Sequence, residues 1–141
     1  MGRNNAEISA IIESFQGKEF DAHYLAFFEC FNQGLFFEAH EVLEKLWLPQ
    51  RKESNGPFYQ GLIQLAGAFV HLQKARVGPA AALFKLAKAN LERYGPVHDR
   101  LDVKGVLKMV TEWLRQVDQG KFDLSTFPSK RPPEIKLISA K

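Results

Sequence analysis

One cysteine in 141 residues leaves nothing for it to pair with, so an intramolecular disulfide is excluded and a reducing, cytoplasmic setting is expected. That residue, Cys30, sits among Phe27, Phe28 and Phe31, where a small buried hydrophobe is its expected role. The opening Met-Gly-Arg-Asn-Asn-Ala-Glu has no hydrophobic signal core, and no later stretch reads as a membrane span. Basic residues are not clustered among exposed aromatics, so a pI near 9.0 does not by itself point to nucleic acid. Two-metal carboxylate bundles need Glu-x-x-His on two helices, and the chain contains none. No serine or cysteine falls in a pattern that suggests a nucleophilic triad.

What the chain does have is enough apolar material for one compact domain. It is 45% hydrophobic with twelve phenylalanines, which implies an aromatic-rich core. A chain of this length buries about two thirds of its unfolded surface. Charge is uneven: residues 1–72 carry five basic against nine acidic side chains, residues 73–120 nine against five, and residues 121–141 five against two. An acidic first half and a basic second half can face each other within one domain or between copies, so a homo-oligomer is compatible with the sequence.

The hydrophobic period is helical throughout, and the predicted fold is all-α: a single bundle of five to six antiparallel helices over residues 1–120, followed by a Pro-containing basic tail over 121–141. A first helix is expected over 5–16 with Ile8, Ile11, Ile12 and Phe15 inward and Gly17 as its stop; a second over 20–32 carries Tyr24, Leu25, Phe27, Phe28 and Phe31. His23 at the start of that helix reads as a capping or solvated residue. Asn32-Gln33-Gly34 supplies a short turn, with Gly34 able to take a left-handed cap. After a loop at 48–57, a helix over about 57–76 is expected to be central, because no Asp, Glu, Lys or Arg occurs from Ser54 to Gln73 and its apolar residues point nearly all round. Its Asn55, Gln60, Gln64, His71 and Gln73 argue against a membrane span. A fifth helix lies between Gly78-Pro79 and Gly95-Pro96, with Leu83, Leu86, Ala87, Asn90, Leu91 and Tyr94 inward. The sixth has Asp102 as N-cap, a stripe of Val103, Val106, Leu107, Val110, Trp113, Leu114 and Val117, and Gly120 at its end. Prolines at 128, 132 and 133 stop any continuation; Phe122, Leu124, Phe127, Ile135, Leu137 and Ile138 can dock the tail in extended form, and a frayed end is the equal alternative for the last few residues.

The stretch Gly34–Trp47 carries the best candidate for a site. At about 100° per residue, Trp47, Phe36, Leu43, Ala39 and Leu46 fan to one side of His40, while Glu44 falls about 40° to the other, followed by Phe37. Glu41, Lys45 and Glu38 take the outer wedge. His40 and Glu44 thus sit within or at the margin of the apolar arc, one turn apart, where the imidazole can partner the carboxylate. On the next helix, Gln60, Gln64 and His71 share one narrow stripe, within about 40° of each other. Buried amides and imidazoles are normally hydrogen-bonded, so this stripe must meet something polar, and the His40/Glu44 edge is the nearest candidate.

The order Asn32-x-Gly34-x-Phe36-x-Glu38-Ala39-His40-x-x-x-Glu44-x-x-Trp47, followed by Gln60-Gly61-Leu62-Ile63-Gln64-Leu65-Ala66, resembles the domain-of-unknown-function 309 family of bacterial and archaeal proteins over roughly residues 20–95. The resemblance implies an all-helical fold and a site-like cluster around the His and Glu, and no activity.

The residues support three functional readings. One is a binding module in which Trp47, Tyr59, Gln60, Gln64 and His71 hold a small ligand or a partner's helix between apolar walls. A second is a purely structural network fixing helix register. The alternative is a hydrolase-like enzyme in which Glu44 orients His40 as acid/base. His40-Glu41-x-x-Glu44 is reminiscent of the His-Glu-x-x-His zinc helix, so a divalent metal on His40, Glu44 and His71 belongs to that alternative; otherwise no cofactor is expected. Partners are then a small molecule or a protein, not a membrane or nucleic acid.

Overall fold

The computed structural model describes residues 5–14, 16, 20–120 and 133–138. Phe15, Gly17, Phe122, Leu124, Phe127 and the prolines at 128 and 132 lie outside them. Six helices and one small hairpin follow in order: α1 (Asn5–Ser14), α2 (Ala22–Asn32), α3 (Phe36–Trp47), a 3-10 turn (Leu48–Gln50), α4 (Gly56–Gln73), α5 (Val77–Leu91), β1 (Val97–His98), β2 (Leu101–Asp102) and α6 (Val103–Asp118). The all-α multihelical bundle read from the sequence is therefore the fold. None of these helices is long and apolar enough to cross a membrane.

The turns explain the order of packing. Residues 33–35 join α2 to α3, with Gly34 at φ 79° and the Leu35 and Gly34 amides bonding back to the Cys30 and Phe31 carbonyls. Helix α4 closes in the same way: the Arg76 and Ala75 amides bond to the His71 and Leu72 carbonyls, with Ala75 at φ 59° in the place glycine usually takes. This cap ends α4 at Gln73, three residues earlier than its hydrophobic run suggests.

Helix α4 is central, as its uncharged sequence requires. Its buried residues include Phe58, Leu62, Leu65, Ala66, Phe69 and Leu72, and it packs on α3 on one side and α5 on the other. Phe69 gathers the bundle: its ring lies 5.0 Å from Phe36, 5.7 Å from Phe31, 5.2 Å from Phe84 and 5.1 Å from Trp113, so four neighbouring helices meet on one side chain.

Two positions differ from the helical-wheel reading. Glu38, expected on the outer wedge of α3, is buried at 6% exposure, on the side of the helix where α1 and α3 share a groove. Leu86, expected inward on α5, is 51% exposed, because the stripe that meets α4 is Ala80, Phe84, Ala87 and Leu91. The hairpin β1–β2 has no counterpart in the helical pattern of the sequence. Its two turn residues, Asp99 and Arg100, both have positive φ (47° and 63°), as a two-residue turn of the I′ kind demands, yet neither is glycine or asparagine.

Candidate functional site

Helices α3, α4 and α5 enclose a groove of about 320 Å³ lined by Phe37, His40, Ile63, Gln64, Gly67, Val70, His71 and Leu83. The helical spacing places its polar members. Gln64 and His71 are seven residues apart, two turns along one face of α4, and His40 comes from the facing edge of α3. The walls are apolar, and Phe37 lies nearly parallel to the His40 ring at 6.3 Å. Gly67 leaves the floor open, since a Cβ there would stand 3.1 Å from Leu83 Cδ1.

The hydrogen bonding of this groove is incomplete. Gln64 Oε1 accepts from Asn90 Nδ2 of α5 at 2.8 Å. His40 Nδ1 and His71 Nδ1 are both enclosed without a hydrogen-bond partner, and so is Trp47 Nε1. Native proteins pair nearly all such atoms, so two unsatisfied imidazoles on one groove stand out. Enclosure of the ring lowers the His71 pKa from its ordinary 6.5, and the nearby positive charges of Arg76 and Lys74 lower it further.

The remaining candidates are distributed elsewhere. No hydrogen bond or ion pair joins Glu44 to His40 among the described residues. Glu44 instead lines a second groove of about 450 Å³ between α1 and α3, together with Glu38, Glu41, Lys45 and the apolar Ile8, Ile12 and Phe37. The divergence arises because α3 lies between α1 and α4, so the 40° separating the two side chains sends them to different neighbours. His40, Glu44 and His71 are not gathered as ligands: among the described residues no group of three or more His, Cys, Asp or Glu is arranged to hold a metal. Gln60 is half-buried and does not line the groove. Trp47 packs against the core with its indole nitrogen enclosed.

Tyr59 belongs to a different polar cluster at the N-terminal end of α4. Asn55 is its hub: Nδ2 donates to Tyr59 Oη at 3.2 Å and to Asp99 Oδ2 at 2.9 Å, and Oδ1 lies 2.8 Å from His98 Nε2. Tyr24 Oη donates to the Asp99 carbonyl at 2.9 Å. Burial raises the Tyr59 pKa above its ordinary value; the Asn55 hydrogen bond opposes that shift, and the Asp99 and Asp21 charges add to it. This satisfied network explains how Asp99 and Arg100 hold positive φ: side chains from α2 and the start of α4 clamp the turn from below.

Of the site candidates read from the sequence, the groove brings together His40, Gln64 and His71; its walls Ile63, Gly67, Val70 and Leu83, and Asn90 behind Gln64, are not among those candidates. The signal for Gly67 was present: a glycine in the interior of a long helix, costing about 1 kcal/mol against alanine, usually has a packing or functional reason.

Residues 24–83 match the family model described as Domain of unknown function (DUF309), inside the span recognised from the motifs. The matched segment carries most of α2, all of α3 and α4 and the first part of α5, and with them every residue that lines the His40/His71 groove. No curated protein and no solved structure shows significant similarity to the chain.

Proposed function

We propose, with residues 24–83 taken as a DUF309 segment, that the chain is a binding module whose groove between α3, α4 and α5 receives a small ligand with an apolar body and a polar end. The observation that carries this reading is one apolar-walled groove lined by Gln64 and by two imidazoles, His40 and His71, whose enclosed Nδ1 atoms have no protein partner, so that hydrogen bonding falls to the opposite edge of each ring. A network built only to fix helix register would be expected to satisfy its own members, as the Asn55 cluster does. The volume of about 320 Å³ lies near the lower end of the range for small-molecule sites, roughly 300–1,000 Å³. Glu44 has no place in this reading, and neither does acid/base chemistry by a His40/Glu44 dyad.

Titration of isotope-labelled protein with small phenyl- and alkyl-bodied compounds tests it. The expected result is a localised perturbation of the Phe37, Gly67, Val70 and His71 amides, abolished by Leu83→Trp, which fills the groove from α5. Perturbations scattered over the surface, or a response that Leu83→Trp leaves intact, would remove the groove from consideration.

A further inference from the structure

Among the described residues that line the groove, side-chain groups still available for hydrogen bonding are donors, and from this we infer that the ligand's polar end is an oxyanion, with a carboxylate as its simplest form. The inference rests on the groove reading above and adds the chemical class.

The imidazoles come first. In each ring the enclosed nitrogen is Nδ1, with no acceptor beside it. A proton placed there would be a buried donor left unpaired, which is costly, so the neutral ring carries its proton on Nε2, the nitrogen not enclosed in this way. Both rings therefore offer an N–H. Gln64 already uses its carbonyl oxygen to accept from Asn90, which leaves its amide nitrogen as the free end. No Asp or Glu lines the groove. Lys74 and Arg76, just past the end of α4, act on His71 as positive charges, so the groove is positive at its His71 end. N–H donors beside a positive end suit an anionic acceptor, and hydrogen bonds to a charged acceptor are about twice as strong as neutral ones. An ammonium head would meet donors alone.

The same tautomer argument separates an anion from a metal ion. A metal-bound Nε2 must present its lone pair, so the proton moves to Nδ1, where ligating histidines normally donate it to a carboxylate or carbonyl. Neither His40 Nδ1 nor His71 Nδ1 has such an acceptor.

A matched series tests the class: phenylacetate, phenylacetamide, 2-phenylethanol and phenethylamine, each titrated against the full chain at pH 7.5, with Zn²⁺ alone as a fifth titrant. Phenylacetate is expected to bind at least about tenfold more tightly than its amide, consistent with the gain from a charged acceptor. Its affinity, but not that of the alcohol, should fall as salt is raised. His40→Phe and His71→Phe should each bring the acid toward the amide, costing the acid more affinity than the alcohol. Salt dependence in the parent protein carries the test if either variant fails to fold. Equal or tighter binding of the amide, alcohol or amine overturns the oxyanion assignment and leaves the groove reading standing. Zn²⁺ binding lost in both variants overturns the tautomer argument. Absence of binding by every organic member overturns the groove reading, and this inference with it.

Discussion

His71 is the residue at which packing and protonation meet. Its ordinary pKa of 6.5 is lowered in the folded chain, first by enclosure of the ring and then by the charges of Arg76 and Lys74. Below pH 6.5 the unfolded chain therefore binds a proton that the folded chain still refuses. The stability linked to this group is complete above pH 6.5 and is lost as pH falls from there through the lower folded pKa. Urea unfolding of the parent and of His71→Gln between pH 7.5 and 5.5 should show the parent losing stability more steeply; parallel curves would mean that His71 is not enclosed in solution. How much of this was legible in the sequence depends on what one helix can reveal about itself. The spacing of Gln64 and His71 places both on one stripe of α4 whatever surrounds it. The enclosure of Nδ1 depends on a rotamer fixed by neighbouring elements and has no sequence signature. Glu38 fails the wheel for a related reason: an angle measured from His40 cannot say that another helix, α1, shares a groove with the opposite side.

Between elements, the closeness of α4 and α5 is set by two glycines that do different work. A Cβ at Gly61 would stand 2.9 Å from Leu91 Cγ and 3.2 Å from Asn90 Cβ, and Leu91 is fully buried with nowhere to move. Gly61→Ala should therefore lower stability by about 1–3 kcal/mol through overpacking, in spite of a helix-propensity gain of about 1 kcal/mol. The same change would press on Asn90 and hence on its bond to Gln64. At Gly67 the near atom among the described residues is Leu83 Cδ1 at 3.1 Å, the free end of a half-buried side chain that can turn away. Gly67→Ala should leave stability unchanged or raise it by up to about 1 kcal/mol while narrowing the groove and weakening ligand binding. Chemical denaturation of the two variants, read beside the phenylacetate titration, checks both signs; equal losses of stability would show that Gly67, like Gly61, only serves packing. The amphipathic period announces these helices, but it does not say how near they lie.

At the scale of the whole molecule, the chain is closed by contacts between distant segments. Asn32, at the end of α2, pairs with the backbone of Ile135 in both directions: its Nδ2 donates to the Ile135 carbonyl at 2.8 Å and its Oδ1 accepts from the Ile135 amide at 2.7 Å. The Ile138 amide donates to the Arg100 carbonyl at 2.7 Å, and Leu137 bridges to Leu101 of the hairpin. Residues 133–138 thus join α2 to β2, with the Ile135 side chain buried and Ile138, another docking candidate, 47% exposed. The sequence suggests an extended docked tail through its prolines and alternating apolar residues. It gives no hint that Asn32, read as part of a turn, reaches across 103 positions to meet it. Asn32→Asp separates the two halves of that pairing, because a carboxylate still accepts from the Ile135 amide but cannot donate to its carbonyl. The carbonyl then loses its partner and faces a negative oxygen, so stability should fall by about 1–3 kcal/mol. Since Asn32 does not line the groove, phenylacetate affinity should be preserved. A urea midpoint shifted with unchanged slope would place the whole effect on the folded state. A shift below about 0.5 kcal/mol, the size expected of an unremarkable surface change, would mean that the 133–138 segment rests on the bundle without helping to hold it together.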